Sequence, residues 1–219
     1  MLKLPNISLV TINTDSPNKG LAVLKHCAAL VEFGEIIMFT HKPLDMPSNI
    51  KLQLIDNCNY VQYNQFIVRE LAAHIKTDFV LIVQTDGFIL NVDKWKPEFL
   101  NYDYIGAPWP IEWNFPQRVG NGGFCLRSKK FLTASAALDN IDSNANGENR
   151  NEDAYLCKTN YNKLINMGIR FAPVELAADF SLEAFCSDCP RTYADTFGFH
   201  GSPKNYPTQG LLDRIRDNQ

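Results

Sequence analysis

The chain has 219 residues, 45% of them hydrophobic and 21% charged, with 24 acidic against 21 basic side chains and a formal net charge of −3. That length supports a core without disulfide or metal staples, and the composition excludes global disorder. The near balance of charge disfavours a general nucleic-acid binder, and the longest aliphatic and aromatic run, Phe79 to Val83, is far too short to span a bilayer.

Ile7 to Ile12 is a short β-rich run that ends in the polar segment Asn13 to Gly20. Leu21 to Phe33 carries apolar residues three and four apart (Leu21, Leu24, Ala28, Val31) and is expected to be a helix stopped by Gly34. Glu35 to Thr40 and Ile50 to Ile55 are expected as strands, Tyr63 to Ile75 as a helix, and Phe79 to Gln84 as an apolar strand buried on both faces. This alternation predicts a doubly wound α/β layer. The second half is richer in Trp, Pro, Gly and Asn. Strands are expected at Asp103 to Ala107, Gly123 to Arg127 and Ile169 to Glu175, helices at Ser128 to Leu138 and Asn151 to Met167, a polar loop at 139–150 and a polar helix from Pro207 onward. In open parallel sheets ligands bind outside the carboxyl ends of the strands. The residues just after Ile12, Thr40, Ile55 and Gln84 are therefore the first candidates.

The six cysteines are scattered and are expected to be free thiols, since the start Met1-Leu-Lys-Leu-Pro-Asn lacks the apolar stretch of a secretory signal. Cys186-Ser-Asp-Cys189 has no second ligand pair for a structural zinc site and no thioredoxin-like context.

The loops lack GxGxxG after the first strand, GxxxxGK[ST] and GxSxG, so dinucleotide oxidoreductases, P-loop enzymes and α/β hydrolases lose support. After the fourth strand comes Gln84-Thr85-Asp86-Gly87. Asp86 there either holds a divalent cation against a diphosphate or caps a turn. In Val119-Gly-Asn-Gly-Gly-Phe-Cys-Leu-Arg-Ser128 the glycines either let backbone approach a ligand or form a bulge or hairpin entry. In Asn151-Glu152-Asp153 the acids suit a helix start or a general base. In Phe197-Gly-Phe-His200-Gly201 the histidine is a metal ligand or a packed side chain. Trp109, Trp113 and Phe115 are either a platform for sugar rings or a hydrophobic plug.

Taken in order, VLIVQTDGFIL, YIGAPW, VGNGGFCLRS, NEDAYLC, FAPVELAADFS and FGFHG make the chain resemble the GT-A glycosyltransferases, Leloir enzymes that use nucleotide sugars. It is similar in particular to glycosyltransferases of bacteria and large algal viruses, among them the chlorovirus capsid-glycan glycosyltransferase domain. These segments lie from Phe79 onward; the first half adds only the α/β pattern. The resemblance implies a single GT-A-like domain, a Rossmann-like mixed and mostly parallel sheet flanked by helices. Residues 1–86 would form a nucleotide-binding half and 87–219 an acceptor and catalytic half, complete in itself or excised from a longer chain.

The implied activity is transfer of a hexose or deoxyhexose from a UDP-sugar to a hydroxyl of a glycan or glycoprotein, with Mn²⁺ or Mg²⁺ as cofactor. The family's motif is Asp-x-Asp. Asp86 matches its last position as a metal ligand, while Gln84 stands at the first and adds no charge. His200 matches the late histidine that completes the metal shell. Asp153, with Glu152 second, matches the base of inverting relatives. Thr11, Asn13 and Thr14, then Tyr60, Gln62 and Tyr63, and also Thr85, Gly122 and Gly123, are the implied donor contacts. Trp109, Trp113, Asp179 and Glu183 are implied on the acceptor or sugar side. Inversion with a carboxylate base is the leading expectation, and retention on the same site stays open. A non-catalytic carbohydrate-binding module is the alternative from another class; a sugar-nucleotide pyrophosphorylase fits poorly, because INTDSPNKG is not its Gly-rich, Arg-containing loop. The expected setting is cytoplasmic, that of the host if the chain is viral, with no nucleic-acid partner and no transmembrane segment.

Overall fold

The computed structural model describes residues 1–139 and 151–201. The expected loop beyond Asp139 and the expected helix from Pro207 fall outside them. β1 (Leu2–Ile12) leads into α1 (Pro17–Leu30), then β2 (Val31–Thr40) and β3 (Lys51–Leu54). α2 (Tyr60–Gln65) runs through a π-helical turn (Phe66–Glu70) into α3 (Leu71–His74) and on to β4 (Phe79–Val83). β5 (Tyr104–Gly106), β6 (Phe124–Ser128) and α4 (Lys129–Ala136) follow. Then come α5 (Glu152–Ala154), a second π-helical turn (Tyr155–Thr159), α6 (Tyr161–Asn166), α7 (Val174–Phe180), β7 (Ser181–Leu182) and β8 (Gly198–Phe199).

The main sheet has the order β3-β2-β1-β4-β6-β5. β1 pairs in parallel with both β2 and β4, and β2 with β3, whereas β6 is antiparallel to β4 and to β5. The sheet is thus mixed and mostly parallel, flanked by helices, as expected. Central position explains the composition of β1 and β4: Leu9, Val10, Leu81 and Ile82 are all buried, which a strand covered on both faces requires. The chain leaves β1 toward β2 on one side, and returns to β4 on the other. The carboxyl ends of β1 and β4 therefore flank the topological switch point, where open α/β sheets bind ligands.

Several boundaries differ from the expectation. α1 ends at Leu30 and Gly34 lies inside β2, because Val31 to Phe33 pair with Leu2 to Leu4 and the sheet claims them. The helix expected from Tyr63 starts at Tyr60, where Asn59 and Gln62 form a reciprocal capping box. The helix expected over Asn151 to Met167 is interrupted by the second π-helical turn and by Asn160. Ile169 to Glu175 is not a strand. Only Phe171 bridges to Tyr104, and Pro173 then caps α7, with Glu175 in its first turn.

Candidate functional site

Two cavities meet at the carboxyl edge of the sheet. The first, about 470 Å³, is lined by Asn13, Thr14, Tyr60, Tyr63, Gln84 and Thr85, together with Asp15, Cys58 and Asn59. Thr14 Oγ1 donates to the Cys58 carbonyl at 3.1 Å and ties the loop after β1 to the loop after β3. Asn13 Oδ1 accepts the Ser16 N–H at 2.7 Å, which turns the chain into α1. Thr11 is not among the lining residues: it is buried, and its hydroxyl donates to the Val83 carbonyl across the sheet. Gln62 is exposed and its side chain is held by the Asn59 N–H in the cap. The loop after Thr40 contributes no lining residue.

The second cavity, about 550 Å³, is lined by Trp109, Trp113, Phe115, Asn151, Asp153 and Glu183, with Ala154 and Lys158 beside them. Trp113 is 51% exposed and Trp109 only 6%. Phe115 stands edge-on to both indoles. Tyr60, on the rim of the first cavity, donates its hydroxyl to Asn151 Oδ1 at 2.7 Å and joins the rims.

His200 touches one lining residue of each cavity, Gln84 of the first and Glu183 of the second. Its Nε2 is 3.2 Å from Gln84 Oε1 and 3.6 Å from Asp86 Oδ1, and its Nδ1 is 3.1 Å from Glu183 Oε1. Gln84 Nε2 in turn donates to the Tyr63 hydroxyl at 2.5 Å. The string Tyr63–Gln84–His200–Glu183 thus crosses from one cavity to the other. Gln84 and Gly87 exchange backbone hydrogen bonds, and the Gly201 N–H donates to the Asp86 carbonyl, so the Gln84–Gly87 turn and the His200 loop are locked together. A Cβ on Gly123 would sit 2.1 Å from His200 Nε2; only glycine lets the ring lie there.

Asp153 projects into the second cavity. Its Oδ1 accepts the Ala154 N–H at 2.7 Å and its Oδ2 the Gly122 N–H at 3.3 Å. Burial raises its pKa above the ordinary carboxylate value, with the Glu183 charge adding to the effect and the two N–H groups opposing it. Burial disfavours the His200 imidazolium, but the hydrogen bond and charge of Glu183, with Asp86 and Asp153, outweigh it and raise the His200 pKa above its usual value.

Glu152 faces the other way. It is 4% exposed, and both its oxygens accept from Arg127 Nη2, at 2.9 and 2.7 Å, in the interior. Burial pushes its carboxyl upward and Arg127 opposes that. Asp179 lies elsewhere. It is bonded to Lys96 and Arg191, each at 2.7 Å, which hold its carboxyl below the usual range against the effect of burial. The six cysteines are free; Cys186 and Cys189 are buried beneath α7, and burial pushes the Cys186 thiol up to about 12.

No group of three or more His, Cys, Asp and Glu side chains gathers around a metal position among the described residues. The donor chemistry beside His200 nevertheless fits a divalent cation. Gln84 Oε1 and Asp86 Oδ1 both lie near His200 Nε2, whose N–H donates to Gln84 and would give way to a cation. Carboxylate oxygen, amide oxygen and imidazole nitrogen are ligands that Mn²⁺ accepts.

Comparison with solved structures agrees with this architecture. A crystal structure of the galactosyltransferase LgtC in complex with donor and acceptor sugar analogues matches with a TM-score of 0.58 and 12% identity, over 96% of this chain and 94% of that one. An active-site mutant of LgtC matches with a TM-score of 0.56 and 13% identity, over the same shares. The fold is GT-A-like. Residues 50–200 match the family described as "Protein of unknown function (DUF5672)", and the chain belongs to that family. No curated protein matches it. Among the described residues no helix is long and apolar enough to cross a membrane.

Proposed function

We propose that the chain is a metal-dependent glycosyltransferase that moves a hexose or deoxyhexose from a UDP-sugar to a hydroxyl of a glycan or glycoprotein, with inversion. The observation that carries this reading is the place of His200. Beside Asp86, its ring links Gln84, in the cavity at the switch point of the sheet, to Glu183, in the aromatic cavity that also holds Asp153. The likeness in fold to a galactosyltransferase seen with donor and acceptor sugar analogues supports it.

In this reading Asn13, Thr14, Tyr60 and Tyr63 bind the nucleoside, and Gln84, Asp86 and His200 face its diphosphate. Those three residues would hold Mn²⁺ or Mg²⁺, which when bound supplies charge to stabilise the departing diphosphate. Trp113 and Phe115 offer flat apolar faces to an acceptor sugar. Asp153 takes the proton of the acceptor hydroxyl. Its raised pKa suits the task, because a base titrating nearer to the working pH transfers protons more effectively than an ordinary carboxylate. The Ala154 and Gly122 N–H groups fix the carboxylate for that transfer. Glu152, paired with Arg127 in the interior, supports Asp153 through α5. The whole described chain is read as one catalytic domain, since residues from both halves face the cation position. The aromatic wall alone would serve a non-catalytic carbohydrate-binding module, which has no use for the cavity at the switch point.

A thermal melt tests the reading. UDP with Mn²⁺ is expected to raise the melting temperature, and EDTA to abolish the rise. No shift with any nucleotide contradicts it.

A further inference from the structure

The chain carries Gln84 where an acid would present two equivalent oxygens to a cation. An amide differs at its two ends. One is an acceptor and the other a pair of N–H donors, so it can serve as a ligand only if something sets its orientation. Two contacts supply that together: the Tyr63 hydroxyl, which can accept or donate, takes Gln84 Nε2, and the His200 ring beside Oε1 decides which end of the amide faces it.

An imidazole has the same need, since only one of its nitrogens carries the lone pair in the neutral ring. His200 Nδ1 has two neighbours, Glu183 Oε1 at 3.1 Å and Asn121 Nδ2 at 3.0 Å. The Asn121 amide is itself set, because its Oδ1 accepts the N–H groups of Gly123 and Phe124. A charged acceptor outcompetes a neutral donor at the same nitrogen. Nδ1–H therefore points to Glu183, which leaves Nε2 as the nitrogen for a cation; its 3.2 Å contact with Gln84 Oε1 is a hydrogen bond from Nε2–H, whose proton a bound cation replaces.

We propose that Tyr63 and Glu183 are positioning residues that hold Gln84 and His200, from opposite cavities, in the one orientation that presents Oε1 and Nε2 beside Asp86 to a divalent cation. This rests on the metal-dependent reading above and assigns two further residues to it. It also gives Glu183 a task other than contact with a sugar hydroxyl.

The test is a titration of the full chain with Mn²⁺ in the presence of UDP, with free Mn²⁺ read by electron paramagnetic resonance. Tyr63→Phe and Glu183→Ala are each expected to weaken Mn²⁺ binding about 10- to 100-fold, the range for partners that orient metal ligands. Glu183→Gln is expected to recover only part of the loss, since a neutral amide oxygen no longer outcompetes the Asn121 donor at Nδ1. Tyr63→Phe removes one oxygen and keeps the ring, so it reports even if Glu183→Ala does not fold. Wild-type affinity in both Tyr63→Phe and Glu183→Ala overturns the inference. So does a Glu183→Gln variant with wild-type affinity, which would show that the charge of Glu183 does not set the ring. If the wild-type chain binds Mn²⁺ and Asp86→Ala does not, the functional reading stands whatever the positioning variants show. If the wild-type chain takes up no Mn²⁺, both fall together.

Discussion

Glu152 and Asp153 are adjacent in sequence and opposite in role: Glu152 accepts two hydrogen bonds from the wholly buried Arg127, while Asp153 faces the cavity of the aromatic wall. Removing one partner of a buried ion pair leaves the other charge uncompensated and costs about 3–5 kcal/mol. Glu152→Ala is therefore expected to lose about that much stability, read as a lowered urea midpoint. A midpoint within error of the wild type would mean that the pair is not as the structure draws it.

Asp153→Asn is expected to separate activity from stability. General base catalysis is worth about 10²–10⁴-fold, so kcat should fall by that order. Because burial raises its pKa, the ionised and active form is lost on acidification at a higher pH than for an ordinary aspartate, and this limb should vanish from the pH–rate profile of the variant. The stability sign is the reverse. A carboxyl whose pKa is raised by folding binds its proton more tightly in the folded state, so ionising it at neutral pH destabilises. Asp153→Asn should melt no lower than the wild type at pH 7. A variant with normal kcat and a lowered melting temperature would place Asp153 among structural residues.

The glycine loop separates two effects that its sequence could not. A Cβ on Gly122 would lie 1.6 Å from Glu152 Oε1, against a buried ion pair, and one on Gly123 would lie 2.1 Å from the His200 ring. Gly122→Ala is expected to destabilise by about 1–3 kcal/mol, as overpacking does. Gly123→Ala should displace His200 and lower Mn²⁺ affinity, with a smaller loss of stability because the His200 side chain is less buried than that of Glu152. Equal losses of stability with unchanged Mn²⁺ binding would count against the place given to His200.

The two tryptophans should also part company. Trp109 is buried, and its ring lies where a Gly120 side chain would be, so Trp109→Ala is expected to cost about 3–5 kcal/mol in stability. Trp113 is half-exposed on the cavity wall. Trp113→Ala should leave the urea midpoint nearly unchanged and raise the acceptor KM. The reverse pattern would exchange their roles.

Strands whose apolar runs are buried on both faces were readable in the sequence, and so was the switch point that follows from them: β1 and β4 lie where Ile7 to Ile12 and Phe79 to Gln84 predicted. Boundaries set by tertiary pairing were not. Val31 to Phe33 continue a helical pattern and join β2 only because Leu2 to Leu4 are there to pair with them. The capping box was legible as Asn59-x-x-Gln62, and attention to it would have moved Gln62 from the nucleoside to the helix start. Nothing local to Glu152, Asp153 or Asp179 tells which carboxylate turns inward, which lines a cavity and which is held by Lys96 and Arg191. Those outcomes depend on partners 25, 83 and 12 positions away for Arg127, Lys96 and Arg191. The string from Tyr63 to Glu183 is hidden for the same reason, its members being joined only by the fold.

The most direct test is a UDP-release assay over a panel of UDP-sugars, with Mn²⁺ or with EDTA, on the wild-type chain and on Asp86→Ala. The account predicts that at least one UDP-sugar releases UDP in a Mn²⁺-dependent way, and that Asp86→Ala abolishes most of the release and makes the remainder insensitive to Mn²⁺. Release that is the same with EDTA, or an Asp86→Ala variant with wild-type turnover and normal metal dependence, would contradict it.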